Sequence, residues 1–231
     1  MADDPPAAGT RRVAEQVAPA TQHHAEKALE ALQEEFGDVH DDETIARVMD
    51  DSLTRFASAP LEDFIPVLAY RLSRERLRAI ARAAGKVPRD RPAILFVGLE
   101  GRGRSQMAAA LAELRSEGKV FAHPVGTHIR IELDDTVVEV MGELGCDLQQ
   151  AYPVPLTDDV LAGADVVVTL GRSVGEVDVP EGVRHDDWRI GDPVGAPLDE
   201  VRRIRDDLDV RVQELLVDVL PPPPPPEEPV S

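Results

Sequence analysis

The sequence has a single cysteine, Cys146, in 231 residues, and aromatic side chains make up only 3% of it. One thiol excludes a disulfide within the chain, a cysteine-rich zinc site and an intramolecular thiol relay. With so few aromatics, the core must be filled by Ala, Val, Leu and Ile, within the 42% of residues that are hydrophobic. No apolar run approaches the ~20 residues of a membrane span, and the first residues lack a signal-peptide core. We therefore expect a soluble, cytoplasmic protein that does not bind membranes.

Basic residues are also scarce, since 25 Lys and Arg stand against 44 Asp and Glu, which gives a net charge of −19. A chain this acidic is repelled by nucleic acid and by anionic membrane surfaces, so neither is expected as a partner. The adjacent His23 and His24 are expected to be exposed at the start of a helix. We interpret His123, His128 and His185 as core or surface positions, because none has metal-ligand spacing. Neither a metal nor another cofactor is expected.

Composition divides the chain into five segments. Residues 1–20 mix Pro, Ala, Gly and charge without apolar periodicity, which predicts a disordered N-terminus. Residues 21–85 have helical periodicity, residues 86–91 form a linker, and residues 92–220 alternate between strand and helix patterns. Residues 221–231 begin with an uninterrupted proline run. They predict a solvated polyproline II tail, although such a tail can also dock in an aromatic-lined groove.

Residues 21–85 predict a bundle of three short amphipathic helices. The first ends at Gly37, and Asp41 or Asp42 can cap the second. The third runs from about residue 61 to residue 84. A bundle of this size is too small to be very stable alone. We expect it to bury its remaining apolar surface against the next domain or against a second copy of itself.

Residues 92–220 predict an α/β fold, a four-stranded parallel sheet flanked by helices and preceded by the small bundle. Apolar runs mark strands at residues 93–97, 120–124 and 165–170, with a shorter strand near residues 184–188. Between and after these strands lie helical patterns, of which the last ends where the prolines begin.

The turn after the first strand, residues 98–106 (GLEGRGRSQ), is the strongest candidate for a binding site. Ligands of parallel sheets bind at the edge where this turn lies. Its glycines let backbone N–H groups converge on an oxyanion, to which the next helix presents its positive end. Arg104 can add two N–H donors to that anion, and Ser105 can hold the loop or cap the helix. The predicted oxyanion cradle comprises Gly98, Leu99, Glu100, Gly101, Arg102, Gly103, Arg104 and Ser105; the plain alternative is a tight turn with a surface arginine.

The same residues also fit a nucleotide-binding P-loop, with Gly98, Gly103 and Ser105 in place and Arg104 instead of the usual lysine. The remainder of the chain does not support that function. No later strand ends in a magnesium-binding aspartate, since Asp165 begins its strand, and the domain is short for a nucleotide hydrolase. Nucleotide binding is therefore the weaker interpretation.

A longer pattern surrounds the turn, in which a strand, the loop, Arg104, Ser105 and a helix occur in succession in ILFVGLEGRGRSQMAAAL. With LGCDLQQAYPVPLTDDVLAGADVVVTLG and DDWRIGDPVGAPLDEVRRIRDDL, it resembles the low-molecular-weight protein tyrosine phosphatase and arsenate reductase family. These segments are similar to actinobacterial arsenate reductases of the arsenate-mycothiol transferase type. The resemblance covers residues 93–219, implies that family's fold and places its general acid at Asp192. The helical segment resembles the three-helix dimerisation module that often precedes such domains, which implies a homodimer through these helices.

The nucleophilic cysteine of that family falls on Gly98 here. Phosphoryl transfer and thiol-based arsenate reduction need a thiolate, and glycine has no side chain to attack with. Among its neighbours, Leu99 is inert, Glu100 is a poor nucleophile and Ser105 points away from in-line attack. Cys146 lies where the family has an apolar residue, and we interpret it as a small buried residue. The resemblance therefore implies an enzyme ancestry without the enzyme's activity.

Further residues can contribute to the site. Arg102 and Arg172 come after the first and third strands, so they either join Arg104 in a cationic pocket or remain solvated. Trp188 precedes the late loop and either walls the pocket or fills the core. Asp192 is either a retained acid or part of a structural Asp-Pro loop.

Three functions are compatible with these patterns. We favour a dimeric, catalytically inactive protein that binds phosphate, arsenate or a phosphorylated partner through residues 98–105. The second is a phosphatase or arsenate reductase of unusual mechanism, in which Asp192 or Glu100 activates water against an anion held by Arg104. The third is a structural or regulatory dimer with a vestigial loop, whose contacts are made by the helices and the proline tail.

Overall fold

The computed structural model describes residues 22–57, 64–128, 130, 132–148, 152, 154–171 and 177–221. The described residues form two compact units, of which the first joins the residues up to 88 to residues 157–163, and the second joins residues 89–156 to the residues from 164 onward. The expected disordered segment at residues 1–20, and the expected tail beyond Pro221, lie outside the described residues.

Three amphipathic helices form most of the first unit: α1 (Gln22–Phe36), α2 (Asp42–Phe56) and α3 (Ile65–Ala83). Each buries the apolar side chains that recur at helical spacing. The Asp41 carboxylate caps α2 by accepting a hydrogen bond from the Thr44 N–H at 2.7 Å. The bundle predicted from the sequence is therefore confirmed.

A later helix, α6 (Asp158–Ala162), completes the first unit. Arg76 of α3, only 5% exposed, donates to Asp159 at 2.9 Å and to Asp51 at 2.6 Å. A buried arginine needs such carboxylate partners, and these two tie α6 and α2 to α3. Residues 157–163 thus belong with the helices, although they lie within the α/β part of the sequence.

The second unit is built on a parallel sheet of five strands in the order β3–β2–β1–β4–β5. The strands are β1 (Ala93–Gly98), β2 (Phe121–Gly126), β3 (Val154–Pro155), β4 (Val166–Leu170) and β5 (Arg184–Trp188). Every residue of β1 and β4 is buried, as is typical of central strands in a covered sheet. Because all pairings are parallel, the carboxyl ends of the strands share one edge.

The predicted fold class is confirmed, but the sheet has five strands where the sequence predicted four. The additional strand is β3, which pairs with β2 only through Val125 with Val154 and Gly126 with Pro155. Two residues, one of them a proline, are too few to show an apolar run or an alternating pattern. The strand β3 therefore forms because the fold brings it beside β2, and the local sequence does not predict it.

Three helices pack around the core of the second unit: α4 (Arg104–Ser116), α5 (Asp135–Gly142) and α7 (Leu198–Val219). The core is mainly aliphatic, with Phe96 and Trp188 as its aromatic members. Among the helices of the described residues, none is long and apolar enough to cross a membrane.

Candidate functional site

The site lies at the carboxyl end of the central strand β1. The chain leaves β1 for β2 on one side of the sheet and returns to β4 on the other. Open parallel sheets bind ligands outside such a switch point. The loop from residue 98 to residue 105, named the cradle loop below, connects β1 to α4 at this place.

The carbonyl groups of the cradle loop face the segment after β2. The first three carbonyl groups of the loop each accept a hydrogen bond from a backbone N–H group of that segment. The carbonyl of Gly98 accepts from Thr127 at 3.2 Å, that of Leu99 from His128 at 2.7 Å, and that of Glu100 from Arg130 at 3.1 Å. A trans peptide places its N–H opposite its C=O. The N–H groups of residues 99–101 therefore point away from that segment.

The start of α4 adds further N–H donors at the end of the cradle loop. Its N-cap, Gly103, has no side chain that could accept from the first turn. First-turn N–H groups have no partner within a helix, and they carry the positive end of the helix dipole. An anion at this position would meet uncapped donors.

A buried side chain fixes the middle of the loop. Gln106, 1% exposed, donates from Nε2 to the Gly101 carbonyl at 2.8 Å. Gly101 has φ of +72°, a conformation that glycine adopts without strain. The hydrogen bond from Gln106 and the positive φ of Gly101 thus fix the backbone at residue 101, in the middle of the cradle loop.

Arg104 lies with its guanidinium over the backbone of Gly171, just after β4. A Cβ added to Gly171 would overlap Nη1 and stand 2.8 Å from Cζ. Arg104 is 9% exposed, and it donates to the Ile190 carbonyl at 3.2 Å and to the Asp192 carboxylate at 3.4 Å. Both contacts are long for a buried cation, and they use two of its five N–H groups within the described residues. The remaining donors can serve an anion.

Gly98 and Ser105 face one another across the loop. A Cβ added to Gly98 would be 3.3 Å from Ser105 Oγ and 3.9 Å from the Gly101 nitrogen, so it would point into the loop. Ser105 is 1% exposed, and its Oγ has no hydrogen-bond partner among the described residues. A buried hydroxyl without a partner is costly, which marks this position as one that a ligand can satisfy.

Arg102 is held by its neighbour in the loop. Its Nε donates to a Glu100 carboxylate oxygen at 2.6 Å, and Arg130 lies 3.3 Å from the other oxygen. The Glu100 carboxylate thus forms ion pairs with two arginines of the loop region. The sequence suggested a cationic pocket made by Arg102, Arg104 and Arg172. In the structure Arg102 pairs with Glu100, and Arg172 lies outside the described residues.

Asp192 lies beside Arg104 with its side chain 59% exposed. Its other oxygen accepts from the Val194 N–H at 3.2 Å, and the Asp134 carboxylate accepts from the Gly195 N–H at 3.3 Å. Asp134 also caps α5. The Asp-Pro loop is therefore fixed to the start of α5, with its carboxylate at the mouth of the cradle.

Trp188 fills the core. It is 8% exposed, and its ring centroid lies 5.9 Å from that of Phe96. Among the isolated histidines, His128 is exposed, and His185 Nε2 lies 3.3 Å from the Thr169 hydroxyl. Within the part of the chain that the structure describes, no cluster of His, Cys, Asp and Glu could hold a metal ion.

Cys146, expected to be buried, is only half-buried, and it lies far from the cradle loop. It is near Arg115 in the last turn of α4, which is about 16 Å along that helix from Arg104. Burial raises the pKa of the Cys146 thiol, with Arg115 opposing and Asp209 adding to the rise. The thiol is therefore protonated at neutral pH and remote from the cradle loop.

Sequence analysis did not single out two residues of this site, Gly171 and Asp134, and it assigned no role to Gln106, the last residue of the candidate turn. Gly171 and Asp134 act through contacts distant in sequence, with Arg104 and Gly195, whereas Gln106 reaches back five residues to Gly101. A glycine directly after a strand was a signal for Gly171, but it is also what an ordinary turn contains.

Residues 93–221 match the profile of a family described as low molecular weight phosphotyrosine protein phosphatase. Residues 25–81 match a second profile, described as protein-tyrosine-phosphatase-like, N-terminal domain. The two matches correspond to the α/β part of the chain and to the helical bundle.

Solved structures and sequence relatives agree with these matches. The thioredoxin-dependent arsenate reductase of Corynebacterium glutamicum aligns with 86% of this chain and 97% of its own, with a TM-score of 0.75 and 30% identity. An arsenate reductase in the phosphate binding state aligns over 56% of this chain and 99% of its own, with a TM-score of 0.51 and 28% identity. A Halobacterium salinarum protein that carries a putative arsenate reductase name is 40% identical over 131 residues, which are 54% of this chain and 92% of that protein.

Proposed function

The chain belongs to the low molecular weight phosphotyrosine protein phosphatase family, and we propose that it is a member that binds a tetrahedral oxyanion without transferring it. The binding groups are the N–H groups of the cradle loop, the uncapped first turn of α4 and the Arg104 guanidinium. Such donors are arranged for an anion before it arrives, so binding needs little reorganisation.

Gly98 is the observation that carries the proposal. A side chain at this position would point into the loop towards Ser105, where it would face a bound anion. Glycine supplies no atom that could attack. The carboxylate of Glu100 cannot replace it readily, because Arg102 and Arg130 hold it in ion pairs.

Phosphate and arsenate are the ligands that the relatives suggest. One aligned structure is titled as an arsenate reductase in the phosphate binding state, and a second as a thioredoxin-dependent arsenate reductase. Both anions are tetrahedral and carry oxygens that accept several N–H donors. A phosphorylated partner presents the same chemistry at a side chain.

The bundle is the proposed dimer contact. Phe64 and Val67 at the start of α3 are 59% and 48% exposed, which leaves apolar surface at one end of the first unit. A homodimer through the N-terminal helices would cover it. Light scattering coupled to gel filtration measures the mass directly, and a monomer at micromolar concentration would reject this contact.

A second candidate function rests on Asp192, whose exposed carboxylate stays beside Arg104 at the mouth of the cradle. There it could assist the attack of water on a bound phosphate ester. This candidate requires turnover that Asp192→Asn abolishes. If the wild type shows no turnover, the candidate is rejected.

Isothermal titration of phosphate and arsenate into the wild type and Arg104→Ala tests the proposed binding. Arg211→Ala is the matched control, since it removes the same charge from α7, where its partner is Asp207. We expect Arg104→Ala to lose affinity by about ten-fold or more and Arg211→Ala to keep it. Equal affinity in all three proteins, or no binding by the wild type, would reject the proposal.

A further inference from the structure

The last residue of β2 packs directly on the backbone of the cradle loop. A Cβ added to Gly126 would lie 3.2 Å from both the Glu100 carbonyl carbon and the Gly101 nitrogen. The two backbones are therefore in contact, with no room for a side chain between them. Because packed groups transmit displacements to one another, a shift of Gly126 would move this side of the loop.

Gly126 is held on its outer side by β3 and by the residue that follows it. This strand has only two residues, and the second, Pro155, pairs with Gly126. The next residue, Leu156, donates its N–H to the Gly126 carbonyl at 3.1 Å. A strand of two residues makes too few hydrogen bonds to keep its place alone. Its position therefore depends on how the chain is fixed after Leu156.

A chain of hydrogen bonds fixes the next residue, Thr157, at the start of α6. Thr157 is buried, and its hydroxyl donates to one oxygen of the Asp159 carboxylate at 2.5 Å. The other oxygen accepts from Arg76 Nε at 2.9 Å, and the Arg76 and Asp159 side chains are only 6% and 18% exposed. Removing one member of such a pair leaves the other charge without its partner, which is costly. The start of α6 is therefore tied firmly to α3.

The end of α6 is also in close contact with α3. A Cβ added to its C-cap, Gly163, would lie 2.6 Å from the Ala79 Cα, so the two backbones touch. Val160 and Leu161 within α6 are buried. The whole of this short helix is thus held by the first unit.

Resting on the proposed function, we infer that Asp159 is a positioning residue for the anion site, which acts on the cradle loop through Thr157 and the end of β3. Thr157 and Leu156 are consecutive residues, so a planar peptide bond links the position of one to that of the other. Loss of the Asp159 carboxylate frees Thr157, weakens the hold on Gly126 and loosens the loop. The helical unit thereby helps to shape the site, although all the proposed anion donors belong to the second unit.

The test compares Asp159→Ala with Asp158→Ala in the full chain. Both substitutions remove one carboxylate from the first turn of α6, but Asp158 is exposed. Hydrogen exchange follows the reporter amides, which are the backbone N–H groups of Thr127, His128 and Arg130 that donate to the cradle loop. We expect Asp159→Ala to exchange about ten-fold faster than the wild type at the reporter amides, with α7 unchanged. Asp158→Ala should match the wild type in both places.

A conservative variant separates the ion pair from a general loss of structure. Asp159→Glu keeps a carboxylate within reach of Arg76, and it should restore most of the slow exchange. Trp188 fluorescence reports whether the second unit of each variant is folded. If Asp159→Ala does not fold, Asp159→Asn takes its place, and the same difference from the wild type is expected.

Calorimetric titration of inorganic phosphate connects the loop to binding. We expect Asp159→Ala to bind phosphate several-fold more weakly than the wild type and Asp158→Ala to bind it equally well. Equal affinity in all three proteins would show that Asp159 does not position the anion site.

Failure of this inference differs from failure of the proposed function. If the reporter amides of Asp159→Ala exchange as in the wild type, or if α7 speeds up equally, Asp159 does not position the loop and the inference is wrong. The same conclusion follows if Asp159→Glu exchanges as fast as Asp159→Ala. If the exchange results hold but the wild type binds no phosphate, the positioning of the loop stands and the proposed function fails.

Discussion

The Arg104 guanidinium lies so close to Gly171 that any side chain at position 171 would have to displace it. An added Cβ would overlap Nη1, and Gly171 has φ of +83°. Backbone from the end of β4 therefore forms one wall of the arginine's site, with the Ile190 carbonyl as another contact. The position of the Arg104 guanidinium, the proposed anion-binding group, depends on a glycine that itself carries no functional group.

Gly171→Ala should displace Arg104 and weaken phosphate binding about as much as Arg104→Ala does, roughly ten-fold or more. Gly182→Ala is the matched control, because Gly182 has φ of +87° but nothing within 4 Å of an added Cβ. It therefore bears the same backbone strain, of order 1 kcal/mol, without touching the site. Calorimetric titration compares the two, and similar affinities in both variants would contradict the role given to Gly171.

The Cys146 thiol should react slowly with iodoacetamide at pH 7.5. Burial raises its pKa, so the thiolate that reacts is a smaller fraction than in an unfolded peptide. The expected rate is several-fold below that of the same protein in urea, and it should rise with pH up to the raised pKa. A burst of alkylation complete within seconds at neutral pH would assign Cys146 a reactivity that its surroundings do not provide.

Acid should weaken the first unit through Glu35. Its carboxylate accepts from Arg74 Nε at 2.6 Å and Nη2 at 2.7 Å, and this side-chain hydrogen bonding lowers the pKa of Glu35 below its ordinary value. A carboxyl with a lowered folded pKa stabilises the fold above its unfolded pKa and loses that contribution as pH falls through the folded value. Because the side chain is 31% exposed, the contribution is about 0.5–1 kcal/mol.

Urea unfolding at pH 7 and at pH 3.5 measures this loss. Glu35→Gln should lower the unfolding midpoint at pH 7 and reduce its dependence on pH. Glu30→Gln, an exposed position on the same helix, should behave like the wild type. If both substitutions give the same pH dependence as the wild type, the Glu35–Arg74 pair does not contribute as described.

The strands, the helices and the cradle loop could be predicted because their signals are local. Apolar runs mark β1 and β4, and glycines before Arg104 and Ser105 mark the loop. The strand β3 left no such signal, since its two residues pair with β2 only once the sheet exists.

Side-chain contacts that arise only in the folded loop and core account for the features that the sequence did not reveal. Gln106 looks like any polar residue early in a helix until its amide reaches Gly101. Trp188 could wall a pocket or fill a core, and only its packing on Phe96 decides between them. Arg102 looks available for an anion in the sequence, whereas loop geometry pairs it with Glu100.

The most direct test of a preserved cradle without a nucleophile is aryl-phosphate hydrolysis by Gly98→Cys compared with the wild type. A thiol at this position would face Ser105 and lie within the field of Arg104 and α4, which favours the thiolate. We predict no turnover by the wild type and clear turnover by Gly98→Cys that is lost again when Arg104→Ala is added. Turnover by the wild type, or none by the folded cysteine variant, would contradict the account.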